Sequence, residues 1–120
     1  MKSLSLLIVL ILLSSFLAAT DHSIVVIGEI SDTQCAFNIH SSDGTHASMI
    51  KTDTLGRTPE ECTRTCVRMG GKYLLVDTVG NKVYRLANPE RVANFAAKRV
   101  RVRGVPDAKG VLQIITIEIH

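Results

Sequence analysis

The chain has 120 residues, with 14 Lys and Arg against 11 Asp and Glu, which gives a net charge of +3 with neutral histidines. It contains no Trp, two Tyr and three Phe. This small net charge does not favour a polyanionic partner, and so few aromatic side chains provide no stacking platform for bases or sugars. We therefore expect no nucleic-acid partner.

The first 19 residues have the order of a secretory signal peptide. Lys2 is followed by the apolar run LLIVLILL, by two serines, and by the small residues Ala18 and Ala19. A basic end, a short apolar run and small residues before the cut are typical of an exported precursor. We expect cleavage after Ala19 or Thr20, giving a periplasmic or secreted chain that is not held in a membrane. Residues 20–120 are then expected to form one domain.

Five segments have the apolar patterns of β-strands. The first, Ser23 to Ile30, is rich in β-branched residues and contains Gly28 where a bulge or a tight bend would fit. Two short strands separated by the turn TVGN predict a hairpin. The four later strands are predicted at Lys72–Asp77, Lys82–Leu86, Lys98–Gly104 and Val111–Ile119.

The last two of these strands alternate between apolar and polar residues. Because successive side chains of a strand point to opposite faces, the apolar residues are predicted to lie in the core. They are Val100 and Val102 on the fourth strand and Ile115, Ile117 and Ile119 on the fifth. The opposite face of the fourth strand is predicted to lie in solvent and carries Arg99, Arg101 and Arg103. Exposed cations on a strand discourage edge pairing, and this explains the arginine row better than phosphate binding does.

A short helix is predicted between the first and second strands. Thr58 is a favourable N-cap, Pro59 suits the first helical position, and Glu61 completes a capping box with Thr58. Gly70 and Gly71 are predicted to end the helix.

This helix carries two of the three cysteines. Cys62, Cys66 and Met69 recur at i, i+4 and i+7, so three sulfur side chains are predicted to share a face that points inward or at a ligand. A bond between Cys62 and Cys66 is disfavoured, because side chains four residues apart on a helix begin about 5 to 6 Å apart at Cβ and a disulfide needs roughly 3.5 to 4.5 Å. Both sulfurs are better placed to meet a third group, and Cys35 follows the first strand.

A second helix is predicted after the hairpin. Asn88 is its expected cap and Pro89 its first residue, with Val92, Phe95 and Ala96 on its apolar side.

The order of the elements indicates the fold class. Five strands with a helix between the third and the fourth predict a mainly β, α+β domain built as a small, partly open, five-stranded OB-like β-barrel. The cysteines then belong to an insertion at about 35–70 that connects the first two strands.

The segments ISDTQC, CTRTCVRMGGKYLLVD, VYRLAN and FAAKRVRVRGVPD, with His40 after the first of them, resemble a group of small exported bacterial proteins of uncharacterised function, familiar from soil bacteria such as Acidobacteria. The resemblance covers most of the mature chain, and its most specific part is the order Cys, His, CxxxC. It implies export and an OB-like β-barrel, with no established activity. The chain departs from the group's pattern at Ala36, where a glycine is expected, and at His40, which follows Cys35 by five residues instead of four.

Three cysteines in an exported domain permit two chemistries besides ordinary core packing. In the first, Cys35 forms a disulfide with Cys62 or Cys66 and joins the helix to the end of the first strand, which leaves one thiol over. Closing a loop of about 26 to 30 residues would stabilise the domain by roughly 3 to 4 kcal/mol. We favour the disulfide, because export exposes thiols to oxidation.

The second chemistry is metal binding. Cys35, Cys62 and Cys66 with His40 or His46 would make a tetrahedral Cys3His site for zinc, and Met69 in place of the histidine would make a softer site suited to copper(I). The spacing does not match a standard zinc-finger pattern, so this is the alternative prediction. No cofactor is required if the cysteines form a disulfide or if they are ordinary core residues.

An enzyme is the least favoured class. The spacing CxxxC differs from the CxxC of thiol oxidoreductases, whose reactive thiolate depends on a helix N-terminus, whereas Cys62 and Cys66 lie one and two turns into the predicted helix. The sequence has no GxSxG motif and no phosphate-binding loop. A thiol-redox protein using the leftover cysteine is a second alternative.

Overall fold

The computed structural model describes residues 20–37 and 58–120. The predicted signal peptide, His40 and His46 lie outside these residues. The described chain forms five strands: β1 (Ile24–Asp32), β2 (Tyr73–Asp77), β3 (Lys82–Arg85), β4 (Arg99–Pro106) and β5 (Leu112–Ile119). It also forms two α-helices, α1 (Thr33–Ala36) and α2 (Pro59–Arg68), and a 3₁₀ helix at Pro89–Phe95. None of the helices in this part of the chain has the length and apolar character needed to cross a membrane.

The strands make one antiparallel sheet in the order β3-β2-β1-β4-β5. The two outer strands approach each other at one point, where Leu86 after β3 forms a parallel bridge with Leu112 of β5. The N–H of Ala87 also donates to the Leu112 carbonyl at 3.0 Å. This contact curls the sheet around one apolar core, and elsewhere the described part of β3 and β5 does not pair, so the sheet is not closed.

Strand β1 lies at the centre of the sheet and pairs with β4 along its first half and with β2 along its second. The two pairings overlap near Gly28, where an added Cβ would collide with the carbonyl oxygen of Val76. Only glycine leaves room for so close an approach. The β1–β4 pairing keeps its register through Gly28, so the glycine is explained by this close approach, and the bulge or tight bend expected there stays a prediction.

The core is built from alternate residues of the strands and from the 3₁₀ helix. Its fully buried members include Ile30, Leu75, Val92, Val100 and Val102. Two of these, Val100 and Val102, were predicted from the alternation, and Arg99 and Arg101 on the opposite face are exposed. Arg103 is half-buried and is tied to Ser23 and Asp21 by hydrogen bonds. The three arginines thus lie on the outer face of the sheet, and carboxylates partly neutralise their charge.

The inward prediction for the last strand is wrong at Ile115. A bulge interrupts the β4–β5 pairing, with Arg103 opposite Thr116 and Gly104 opposite Ile114. β5 therefore has one extra residue at the bulge. From this point the inward and outward positions of β5 exchange, because the extra residue has no partner on β4. Ile114 is therefore buried, Ile115 is 43% exposed, and Ile117 packs against the core again. Ile119 is 60% exposed at the end of this edge strand, so the prediction that it lies in the core is wrong as well.

The second predicted helix is present with a different geometry. Pro89–Phe95 is a 3₁₀ helix, and the Asn88 side chain makes no capping hydrogen bond to it. Its predicted apolar side is confirmed, since Val92 and Ala96 are buried and Phe95 packs against the core. The short segment covers one end of the core before β4 begins.

The bulge generates a test on two adjacent isoleucines. We expect Ile114→Ala to lower the free energy of unfolding by about 2 to 4 kcal/mol, because it leaves a cavity at a buried position. Ile115→Ala is expected to cost about 1 kcal/mol or less, since nearly half of the residue's surface is already exposed to water. Urea denaturation of the two variants and the parent would measure both values, and an equal loss at the two positions would contradict the bulge.

Candidate functional site

The residues of the site begin where β1 turns directly into α1. Asp32 is both the last residue of β1 and the N-cap of α1, and its side chain is fully buried. Its Oδ1 accepts hydrogen bonds from the N–H groups of Gln34 at 2.9 Å and Cys35 at 3.1 Å. The N–H of Thr33 donates to the Lys72 carbonyl at 3.0 Å, which fixes α1 to the chain just before β2. Cys35 is therefore held at a defined point beside the sheet.

Helix α2 is defined at both ends by its own sequence. At its N-terminus the Thr58 hydroxyl accepts from the Glu61 N–H, and the Glu61 carboxylate accepts from the Thr58 N–H, so the predicted capping box is confirmed. At its C-terminus Gly70 adopts a φ of +103°, which favours glycine. The N–H groups of Gly70 and Gly71 donate to the carbonyls of Val67 and Cys66, which is the Schellman pattern. The residues at both ends of the helix consequently determine where it begins and where it ends.

The three cysteines meet between the two helices. Cys35 of α1 and Cys62 and Cys66 of α2 are all buried and pack together, and we call these three residues the sulfur cluster. The Cys66 thiol also donates a hydrogen bond to the Gln34 side-chain oxygen at 3.3 Å. The cluster therefore lies between the end of β1 and the inner face of α2, as the sequence predicted.

The cysteines of the cluster are thiols in this structure, and no two of them are bonded to each other. The predicted bond from Cys35 to Cys62 or Cys66 is thus not formed here, although the residues that would make it have been brought together.

The predicted third sulfur of α2 is wrong. Met69 is 75% exposed and does not belong to the sulfur cluster. The helix ends at Arg68, and Met69 is its C-cap. Met69 therefore lies beyond the last helical turn, whereas Cys66 lies within that turn and packs against α1. Met69 is accordingly not placed to act as a ligand together with the cluster.

Burial, and after it the carboxylate of Asp32 and the two neighbouring cysteines, together raise the pKa of the Cys66 thiol to about 12. Taking a thiolate out of water is costly, and a second negative charge nearby adds to that cost. Since the thiolate is the nucleophilic form of cysteine, Cys66 is protonated and unreactive at neutral pH.

The sulfur cluster gives only partial support for a metal centre. Three sulfur ligands converge, as a thiolate site requires. Within residues 20–37 and 58–120, however, no three His, Cys, Asp or Glu side chains are arranged to hold a metal ion. The two histidines that the sequence suggests as ligands, His40 and His46, lie outside the described residues.

Sequence reasoning missed two residues of the site, Asp32 and Gln34. The signal for Asp32 is present, because Asp followed by a short polar stretch after a strand is a typical N-cap. The predicted first strand ends at Ile30, two residues before Asp32, and α1, with four residues, is too short to show a helical period. No sequence signal identifies Gln34 as the partner of Cys66, since that contact joins residues 32 positions apart.

Searches against protein-family models, curated proteins and solved structures find no match to this chain.

The raised pKa of Cys66 predicts slow alkylation. A shift from 9.0 to about 12 lowers the thiolate fraction at pH 8 by ~1,000-fold, so at Cys66 we expect reduced native protein to react with iodoacetamide more slowly than unfolded protein by a factor of that order. Mass spectrometry of peptides after timed labelling would measure the rate, with the same protein in urea as the control. Labelling of native Cys66 at the unfolded rate would contradict the burial described above.

Proposed function

We propose that this protein is an exported, non-catalytic binding module with an OB-like barrel, in which the sulfur cluster fastens α1 and α2 to the end of β1. The observation that carries the proposal is the convergence of three buried cysteines from two helices at one point. A small domain of roughly one hundred residues has a limited core, and a covalent or tightly packed link adds substantially to its stability. The resemblance to small exported bacterial proteins supports the same assignment.

The strand order supports the OB-like part of the proposal. In this barrel type five strands coil on themselves, and the first strand pairs with two others. Here β1 pairs with both β2 and β4, and Leu86 and Leu112 bring the two edge strands together. The 3₁₀ helix occupies the position between the third and fourth strands that a helix takes in this fold.

In the exported protein we propose that Cys35 is oxidised with Cys62 or Cys66. Two thiols lose two protons and two electrons to an external disulfide oxidant and form one S–S bond, while the oxidant is reduced to two thiols. The cysteines already pack together in the thiol form, so only a local rearrangement separates the two states. The bond would close a loop of roughly 30 residues and stabilise the domain by about 3 to 4 kcal/mol.

A protonated, buried thiol supports a structural role over a catalytic one. A thiol oxidoreductase lowers the pKa of its attacking cysteine by means of a helix N-terminus or a nearby cation. Cys66 has the opposite environment, with a raised pKa and the Asp32 carboxylate as a neighbour. The thiol-redox alternative therefore has the weakest support.

Metal binding is the second candidate, because three sulfurs converge and a disulfide uses only two. A thiolate site for zinc or copper(I) would be formed by Cys35, Cys62 and Cys66, with His40 or His46 as the fourth ligand. Binding would require the loss of thiol protons, including the proton that Cys66 holds strongly, so the affinity would fall as the pH drops.

Thiol counting on protein from the exported fraction tests the proposal. We expect an intact mass that lacks residues 1–19 or 1–20, one reactive thiol per chain in urea without reductant, and no bound metal. Cys35→Ser is expected to leave two reactive thiols, because it removes one partner of the bond. Met69→Ser serves as the matched control and should leave the count unchanged.

Three other results would overturn the proposed disulfide of Cys35. Loss of all reactive thiols in Cys35→Ser would place the bond between Cys62 and Cys66. Three thiols protected until a chelator is added, with one zinc or copper ion per chain, would establish the metal site. Three reactive thiols without metal would show that the cysteines are ordinary core residues.

A further inference from the structure

A cleft of about 190 Å³ lies at the end of the sheet where β2 begins and β3 ends. Apolar surface from Tyr73, Leu86, Pro89 and Val111 lines it, and Thr33 of α1 forms part of its wall. The cleft is therefore bounded by the curled edge of the sheet on one side and by α1, which carries Cys35, on the other.

The two charged residues that line the cleft are both cations, Lys72 and Arg85. Arg85 is the last residue of β3 and lies opposite Leu74, and Lys72 directly precedes β2, so both cations lie at the same end of the sheet. Their like charges repel, and a group bound between them could accept hydrogen bonds from both.

Neither cation is neutralised within the described part of the chain. The ion pairs of the described residues involve Arg64, Arg101 and Arg103. Lys72 and Arg85 are both exposed at the rim of the cleft, and no carboxylate lines it. The cleft therefore offers an apolar floor and an unbalanced positive rim.

We propose that this cleft binds a small amphipathic anion, with its apolar body on the floor and its carboxylate or phosphate head between Lys72 and Arg85. Its volume is below the roughly 300 to 1,000 Å³ of pockets for drug-sized ligands, so the ligand is a small one. Arginine presents two parallel N–H donors that match either head group, and lysine adds a point charge. This proposal rests on the non-catalytic binding role given above and names the class of ligand.

An NMR titration of the ¹⁵N-labelled mature protein with hexanoate tests the proposal. We expect saturable shifts of the amides of Lys72, Tyr73, Arg85 and Val111. Hexanamide, which has the same shape without the charge, should bind at least about tenfold more weakly, because the charge-assisted hydrogen bonds are lost. Hexyl phosphate distinguishes the two head groups, since the tighter of the two acids identifies the preferred one.

Substitutions of the two cations test whether they bind the head group of the ligand. Arg85→Gln and Lys72→Gln should each weaken hexanoate binding about tenfold while the amide shifts of the core stay unchanged. Arg99→Gln is the matched control, because Arg99 is an exposed arginine on β4 that does not line the cleft.

Equal affinity for hexanoate and hexanamide, or an equal loss in all three variants, would overturn the proposal, as would the absence of saturable binding. Such a result would leave the thiol count unaffected, since that count depends on the cysteines alone. The failure of the ligand site and the failure of the sulfur link are therefore separate outcomes.

Discussion

The carboxylate of Asp32 holds together the junction on which the rest of the site depends. Its two hydrogen bonds to the N–H groups of Gln34 and Cys35 turn the chain from a central strand into a helix at a single residue. Asp32 pairs with Tyr73 of β2 at the end of the central strand, so its position is set by the sheet. The position of Cys35 follows from that of Asp32, and its sulfur packs against α2. A buried carboxylate needs such hydrogen bonds to be tolerated, so the turn and the burial support each other.

The same junction connects the sulfur cluster to the cleft. Thr33 follows Asp32, forms part of the cleft wall, and is tied through its N–H to the Lys72 carbonyl. The Thr33 hydroxyl also accepts a hydrogen bond from the Lys72 N–H at 3.3 Å. One short helix therefore has a cysteine on its buried side and borders the proposed ligand site on its other side. Fastening α1 by its sulfur would keep the cleft in a fixed shape and so lower the entropic cost of binding.

Sequence patterns predicted the parts of this structure that are determined locally. The capping box at Thr58 and the glycines at 70 and 71 specify α2 without reference to the rest of the chain, and both predictions are confirmed. Ile115 could not be placed in the same way. The adjacent Ile114 and Ile115 mark a change in the phase of the alternation, but which of the two is buried depends on how β5 pairs with β4. Met69 has the right helical spacing, but its exposure depends on where α1 packs along α2. The convergence of the cysteines was predictable because β1 ends beside the helix, whereas the Gln34 contact depends on tertiary packing alone.

Amide hydrogen exchange of α2 tests most directly whether the sulfur cluster fastens this helix to the sheet. In the mature protein we predict that Cys35→Ala lowers the protection of the amides in residues 62–68 much more than that of the amides in β4 and β5. Val92→Ala, which truncates a buried residue of the main core, should instead lower protection throughout the domain. Unchanged protection of α2 in Cys35→Ala, or a uniform loss like that of Val92→Ala, would contradict the account.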